Sequence, residues 1–217
     1  MAKTIPVDIF TGADITNMER EYRRTLINGL SGFKSLNLAG TISPGGRPNL
    51  AIMNSVLHIG ADPPLMGLVF RPAVTERHTL ENILATRCFT LNHVTEAIYA
   101  AAHQTSARYP EEVSEFEAVG LTPYWTEGMP APYVAASPVR IGLIFRERHF
   151  ITTNATVMII GQIAEIHLQA GIVGPDGFPD LAAAGSITGS GLDAYYRTEL
   201  IGRMAYAKPD LPPRPLT

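Results

Sequence analysis

Arg71, Arg77, His78 and Thr79 bring two guanidiniums, an imidazole and a hydroxyl to the point where an apolar run gives way to a helical pattern. Thr79 is expected to start and cap a short helix that ends near Thr86, which leaves the first backbone N–H groups without intrahelical partners. Those donors, together with the positive end of the helix dipole, attract an anion. The two arginines would add charge-assisted bonds, roughly twice as strong as neutral ones. A capped surface helix with solvated arginines, one of them paired to Glu76, fits the same residues. The local sequence does not choose between the two.

Upstream, Asn54 and Ser55 interrupt an apolar strand expected from Asn49 to about Gly60. Adjacent strand residues point to opposite faces, so at least one of the pair must find a partner in backbone, ligand or a second subunit. An unsatisfied buried group would cost about 1–3 kcal/mol. A turn at Asp62-Pro63-Pro64 then leads into Leu65 to Phe70, a continuous apolar run that reads as a central strand.

Other chemistries find less support. With 17 Lys+Arg against 20 Asp+Glu and a net charge of -3, the chain lacks the basic face that nucleic acid demands. The single Cys88, set in an apolar run, excludes an intrachain disulfide and a multi-Cys metal site, and reads as a buried thiol. No two of the six histidines show the spacing of a helical metal motif. There is no nucleophile elbow, Walker loop or Rossmann glycine fingerprint, and Glu111-Glu112 reads as part of a solvated helix. No apolar run approaches the roughly 18 residues that span a bilayer, and the N-terminus has no signal-peptide core, so a cytoplasmic protein with no membrane partner is expected. A mean hydropathy of +0.08 leaves room for apolar surface reserved for a subunit interface.

The elements that must position these residues read as mainly β with peripheral helices. A helix is expected over about 14–30, opened by the capping-box spacing Thr16 to Glu19. Strands are expected from Phe33 to Ser43, Asn49 to Gly60, Leu65 to Phe70, Cys88 to Val94, Arg140 to Phe145 and Val157 to Ile166. Helical segments are expected over Thr95 to about Ala107 and Glu111 to Val119. A Pro-rich tail from about Pro209 to 217 reads as extended, free to wrap a neighbour. Strands do not alternate with long helices, so an antiparallel barrel decorated by helices is favoured over a doubly wound sheet, as one domain over 1–217.

With those residues in place, the chain resembles the flavin reductase-like family of FMN-binding split barrels, which includes flavoredoxins and the reductase components of two-component monooxygenases. The resemblance rests on the order of Gly32-Phe33-Lys34-Ser35, Asn49-Leu-Ala, the polar pair in the strand, Asp62-Pro63-Pro64-Leu65, Arg71, Arg77-His78-Thr79, Asn82-Ile83, the Asn92 strand end and Gly202-Arg203-Met204. It implies a Greek-key split β-barrel and a homodimer with flavin near the interface. It further implies FMN rather than FAD, with NAD(P)H as co-substrate. Asn54, Ser55 and Val56 would face the ring and ribityl chain, while Arg71, Arg77, His78 and Thr79 would hold the phosphate. Where the family commonly has Lys-Asp-Thr, this chain has Arg77-His78-Thr79, which keeps the charge and removes an acid. Two activities follow from the resemblance. One is hydride transfer from NAD(P)H to flavin, with a monooxygenase or other electron acceptor as partner; the other is a flavoredoxin-like electron-transfer protein or a non-catalytic flavin-binding homodimer. Tyr195, Tyr196 and Tyr206 are candidates to shape the nicotinamide side or to fill an interface.

Overall fold

A computed structural model describes residues 5–72 and 78–216 of the chain. Glu76 and Arg77 lie outside the described residues. In chain order the elements are helices α1 (Gly12–Asn17) and α2 (Arg20–Gly29), strands β1 (Lys34–Ser35), β2 (Asn37–Ile42), β3 (Pro48–Met53), β4 (Val56–Ala61) and β5 (Pro64–Phe70), and helix α3 (His78–Thr86). There follow β6 (Cys88–His93), α4 (Tyr99–Gln104), α5 (Glu115–Val119), β7 (Pro123–Thr126), β8 (Met129–Val134), β9 (Val139–Ile151), β10 (Thr156–Leu168), β11 (Thr188–Ser190) and β12 (Ala194–Tyr196).

The order of strands in the main sheet, β3-β2-β6-β9-β10-β5-β4, explains the architecture. Every neighbouring pair is antiparallel. Its two outermost strands, β3 and β4, are consecutive in the chain and separated only by Asn54 and Ser55. Three Cα–Cα steps from Met53 to Val56 reach roughly 10 Å at most, so the sheet must curl until its edges meet at that corner. The edges do not pair with each other among the described residues. The result is a barrel with a split along one side. The strand expected from Asn49 to Gly60 is therefore two strands, and its polar pair is the corner between them. The Ser55 carbonyl accepts from the Val69 N–H (3.0 Å), which locks the corner to β5.

Two cores hold the sheet. Inside the barrel, Leu68, Phe70, Phe89, Leu91, Leu143 and Ile159 pack with Ile83 of α3, which plugs one end. On the outer face of β2 and β3, Leu38 and Leu50 pack with Ala102 of α4 and Phe116 of α5. Five of the six β2 residues are buried because it has a core on each face, which erases the polar alternation of a half-exposed strand. Cys88 is buried.

The edge strand β3 is sealed by side chains rather than by another strand. The Ser114 hydroxyl donates to the Pro48 carbonyl (2.7 Å), the Glu115 carboxylate accepts from the Leu50 N–H (3.0 Å), and the Thr105 hydroxyl accepts from the Ile52 N–H (2.8 Å). An unpaired edge would otherwise template association. This requirement shortens the helices expected around it. The helix expected over 95–107 is confined to α4, and Thr105 is freed to turn toward β3. The helix expected over 111–119 begins only at Glu115.

The N-terminal helix expected over 14–30 is likewise two helices. Thr11 and Asp14 form the capping box of α1, whereas the Glu19 carboxylate accepts from the Tyr22 N–H and caps α2. The Thr16 hydroxyl bonds back to the Gly12 carbonyl instead. The β7–β8 hairpin, not anticipated from sequence, is tied to β10 by Glu165, which accepts from Thr126 (2.7 Å) and Tyr133 (2.5 Å). Burial and that carboxylate push the Tyr133 phenol far up. Residue 142 must be glycine here, since a Cβ would fall 2.2 Å from the Tyr133 hydroxyl. No helix among the described residues is long and apolar enough to cross a membrane.

Candidate functional site

The split leaves a cleft of about 630 Å³ alongside β3. Its floor is Asn49, Ala51 and Met53. One wall is the end of β5 and the start of α3, with Phe70, Arg71, His78 and Thr79; the other is the segment 105–112. Arg71, His78 and Thr79 thus line a single cavity. Arg71 is exposed, His78 half-buried and Thr79 buried.

Thr79 is not the residue before the helix, because α3 begins at His78 and Thr79 lies in its first turn. Its hydroxyl is held from below. Asn49 Nδ2 donates to Thr79 Oγ1 (3.0 Å) and to Thr41 Oγ1 (3.2 Å), and Asn82 Nδ2 donates to the same Thr41 oxygen (3.2 Å). All four of these side chains are buried. Thr79 Oγ1 accepts from Asn49, no acceptor for its own proton is found among the described residues, and Thr79 lines the cleft. The start of α3 adds backbone donors beside it. The arrangement suits an anion with several acceptor oxygens.

A smaller cavity of about 220 Å³ continues the cleft and shares Ile52, Arg71 and Ser106 with it. Asn54 lines this part. Its amide donates to the Gly191 carbonyl (2.9 Å), and the Ser55 hydroxyl donates to Asn54 Oδ1 (3.3 Å). The partner that the polar pair requires is therefore the turn between β11 and β12. Ser55 and Val56 line neither cavity, and Val56 packs against the barrel core. Tyr195, in β12 rather than a loop, forms a wall of the small cavity. It is pinned by His103 Nδ1 at 2.7 Å from its hydroxyl and by the Tyr99 ring, 5.4 Å between centroids. Burial, then the charge of Asp193, raises the Tyr195 phenol above its ordinary range.

Sequence reasoning missed the outer wall. Thr105, Ser106, Arg108, Tyr109, Glu111 and Glu112 line the cleft, and Glu111 and Glu112 are not on a solvated helix. The available signal was the cluster Thr105-Ser106-Ala107-Arg108-Tyr109-Pro110, where hydroxyls and a cation follow a helix stop. Among the described residues no group of three or more His, Cys, Asp or Glu side chains could hold a metal ion.

A split barrel with a cleft along its open edge is the fold of a class of flavin-related oxidoreductases. The chain belongs to the Flavin reductase like domain family, which its residues 35–181 match. It is similar to a protein of Shewanella frigidimarina NCIMB 400 that has a split barrel domain and is named as a flavin reductase. The two are 44% identical, with 93% of this chain and 100% of that one covered, and a TM-score of 0.90. It shares its fold with nitrilotriacetate monooxygenase component B from Bacillus cereus, at 19% identity and a TM-score of 0.78, over 91% of this chain and 98% of that one. A protein of Aquifex aeolicus (strain VF5) without a stated function is 30% identical over 116 residues, which span 52% of this chain and 59% of that protein.

Proposed function

We propose that the chain acts as one domain that binds FMN in the cleft and passes a hydride from NAD(P)H to it, as a cytoplasmic homodimer serving a separate electron acceptor. The observation that carries this reading is the Thr79 hydroxyl, held by Asn49 in the lining of the cleft together with Arg71 and His78. A phosphate monoester matches that donor set, and Arg77 joins it by sequence alone. FMN supplies a ring that accepts two electrons with a hydride and releases them to an acceptor.

The protein's part is binding, orientation and exclusion of water. Arg71 neutralises the phosphate end, His78 offers a ring N–H beside it, and the buried network Thr41–Asn49–Thr79–Asn82 fixes the donor that positions it. At the other end Asn54 and the pinned Tyr195 shape the walls where a flat ring and a nicotinamide would lie. Ser55 and Val56 act as the corner that holds Asn54 in place. A second copy is supported by apolar side chains left uncovered, among them Ile5, Val7, Ile9, Phe150, Ile166 and Ile201.

Absorbance titration with FMN, followed by NADH and NADPH oxidation under anaerobic conditions, tests the reading. Saturable flavin binding with pyridine-nucleotide turnover is expected. Tight flavin binding with no turnover would move the chain to the flavoredoxin-like class, and no binding would defeat the proposal.

A further inference from the structure

A third cavity, of about 420 Å³, lies on the far side of Leu36 from the Asn54 end of the cleft, since Leu36 lines both. Its walls are apolar: Leu36, Phe178, Leu181, Ile187 and Leu200. Among the polar residues that line it are Ser35, His93, Ser186, Thr188 and Thr198, with the carboxylates of Asp180 and Glu199. The size and lining fall in the range of small-molecule sites, roughly 300–1,000 Å³ of mostly apolar wall with a few placed polar groups. An engineered apolar cavity of about 150 Å³ already holds benzene.

The walls are built rather than incidental. Arg203 stacks on the Phe178 ring, 4.0 Å from its centroid, and pairs with Asp176 at 2.5 Å. The segment behind Phe178 is tied down by the Asp180 N–H to the Ile172 carbonyl, the Ser186 N–H to the Leu181 carbonyl and the Thr198 hydroxyl to the Ser186 carbonyl. His93 Nδ1 lies 3.0 Å from the Ser186 hydroxyl, and Nε2 has no partner among the described residues. Ser35 Oγ accepts from Asn37 Nδ2 (2.6 Å), and no acceptor for its own proton is found among the described residues.

The charge of the lining selects the ligand. Asp180 and Glu199 line the cavity, and no Lys or Arg does. Burial depresses the His93 pKa to about 4, so its ring is uncharged at neutral pH. An organic anion would meet two carboxylates and no cation.

The geometry points to a second binding site, distinct from the anion cleft, for an uncharged organic molecule of one or two rings that hydrogen-bonds His93 and Ser35. The site does not depend on flavin binding in the cleft, because the two cavities share only the Leu36 side chain.

A matched pair of probes tests it on the full-length protein without added flavin: 1-naphthol, neutral at pH 7, and 1-naphthoate, its anionic counterpart. Saturable 1-naphthol binding by fluorescence is expected, with 1-naphthoate at least roughly tenfold weaker. Ala182→Trp, which fills the cavity from its lining, should weaken 1-naphthol by roughly tenfold or more and leave FMN affinity unchanged. Glu199→Lys, at an exposed position, should strengthen 1-naphthoate while sparing 1-naphthol. Equal binding of the two probes, no saturable 1-naphthol binding, or indifference to Ala182→Trp would overturn the proposal. Binding that strengthens only on dilution to monomers would show a second copy seated in the cavity, and would overturn it as well.

Discussion

The Thr79 hydroxyl has one proton to give, and among the described residues nothing in the chain takes it, because Asn49 already uses its oxygen as an acceptor. Two consequences follow. Thr79→Val removes the acceptor for a buried amide and should cost about 1–3 kcal/mol in urea unfolding, together with FMN affinity; Thr79→Ser should keep most of both. His93 carries a pH dependence of its own. Its folded pKa, depressed to about 4 by burial, lies below the ordinary value of 6.5, so between those values the unfolded chain binds more protons than the folded one. Stability should therefore be fully present above about pH 6.5 and fall as pH drops toward 4, by on the order of 3 kcal/mol. His93→Gln should flatten that part of the pH–stability curve, and an unchanged slope would show that other groups set it.

At the scale of elements, β3 decides how the cleft is made. Its inner edge pairs with β2, while its outer edge is satisfied by Ser114, Glu115 and Thr105. Glu115→Ala leaves the buried Leu50 N–H without an acceptor and should destabilise the chain by about 1–3 kcal/mol, whereas Glu115→Gln keeps an oxygen in place and should cost less. Glu111→Ala, on the same segment but exposed, should change stability little; equal losses for the two alanine variants would refute the edge-sealing account. This is also where the sequence was hardest to read. Apolar periodicity revealed β2, β5, β6 and the cores of β9 and β10, because their side chains carry the burial signal themselves. It could not reveal that Asn54-Ser55 separates two edges of one curled sheet, since an apolar run reads the same on either side of a bend. Nor could it show that Glu115 and Thr105 serve a strand more than fifty residues upstream. The Arg71, His78 and Thr79 cluster was legible locally, whereas Thr41 and Asn49, which complete the buried network with Asn82 of the same helix, come from β2 and β3.

For the molecule as a whole, the uncovered apolar side chains define a further expectation. Ile5, Val7 and Ile9 are exposed in the segment before α1, and Ile201 and Tyr206 stand almost fully exposed near the other terminus, at 105% and 94%. Single exposed apolar residues are ordinary, but two segments carrying them are not. Sedimentation equilibrium should show a dimer, and thermal midpoints should rise with protein concentration, as linkage requires when association stabilises the fold. A concentration-independent monomer would remove the interface from the account while leaving the cleft intact.

The central claim is that the cleft recognises a flavin through its phosphate. The most direct measurement compares the affinities of FMN and riboflavin, which differ only in that group, for the wild-type chain and for Arg71→Ala. FMN should bind at least roughly a hundredfold more tightly than riboflavin to the wild type, as two charge-assisted bonds of about 1.5–3 kcal/mol each require. Arg71→Ala should narrow that gap by weakening FMN alone. Equal affinities for FMN and riboflavin in the wild type would contradict the assignment of Arg71, His78 and Thr79 to a phosphate.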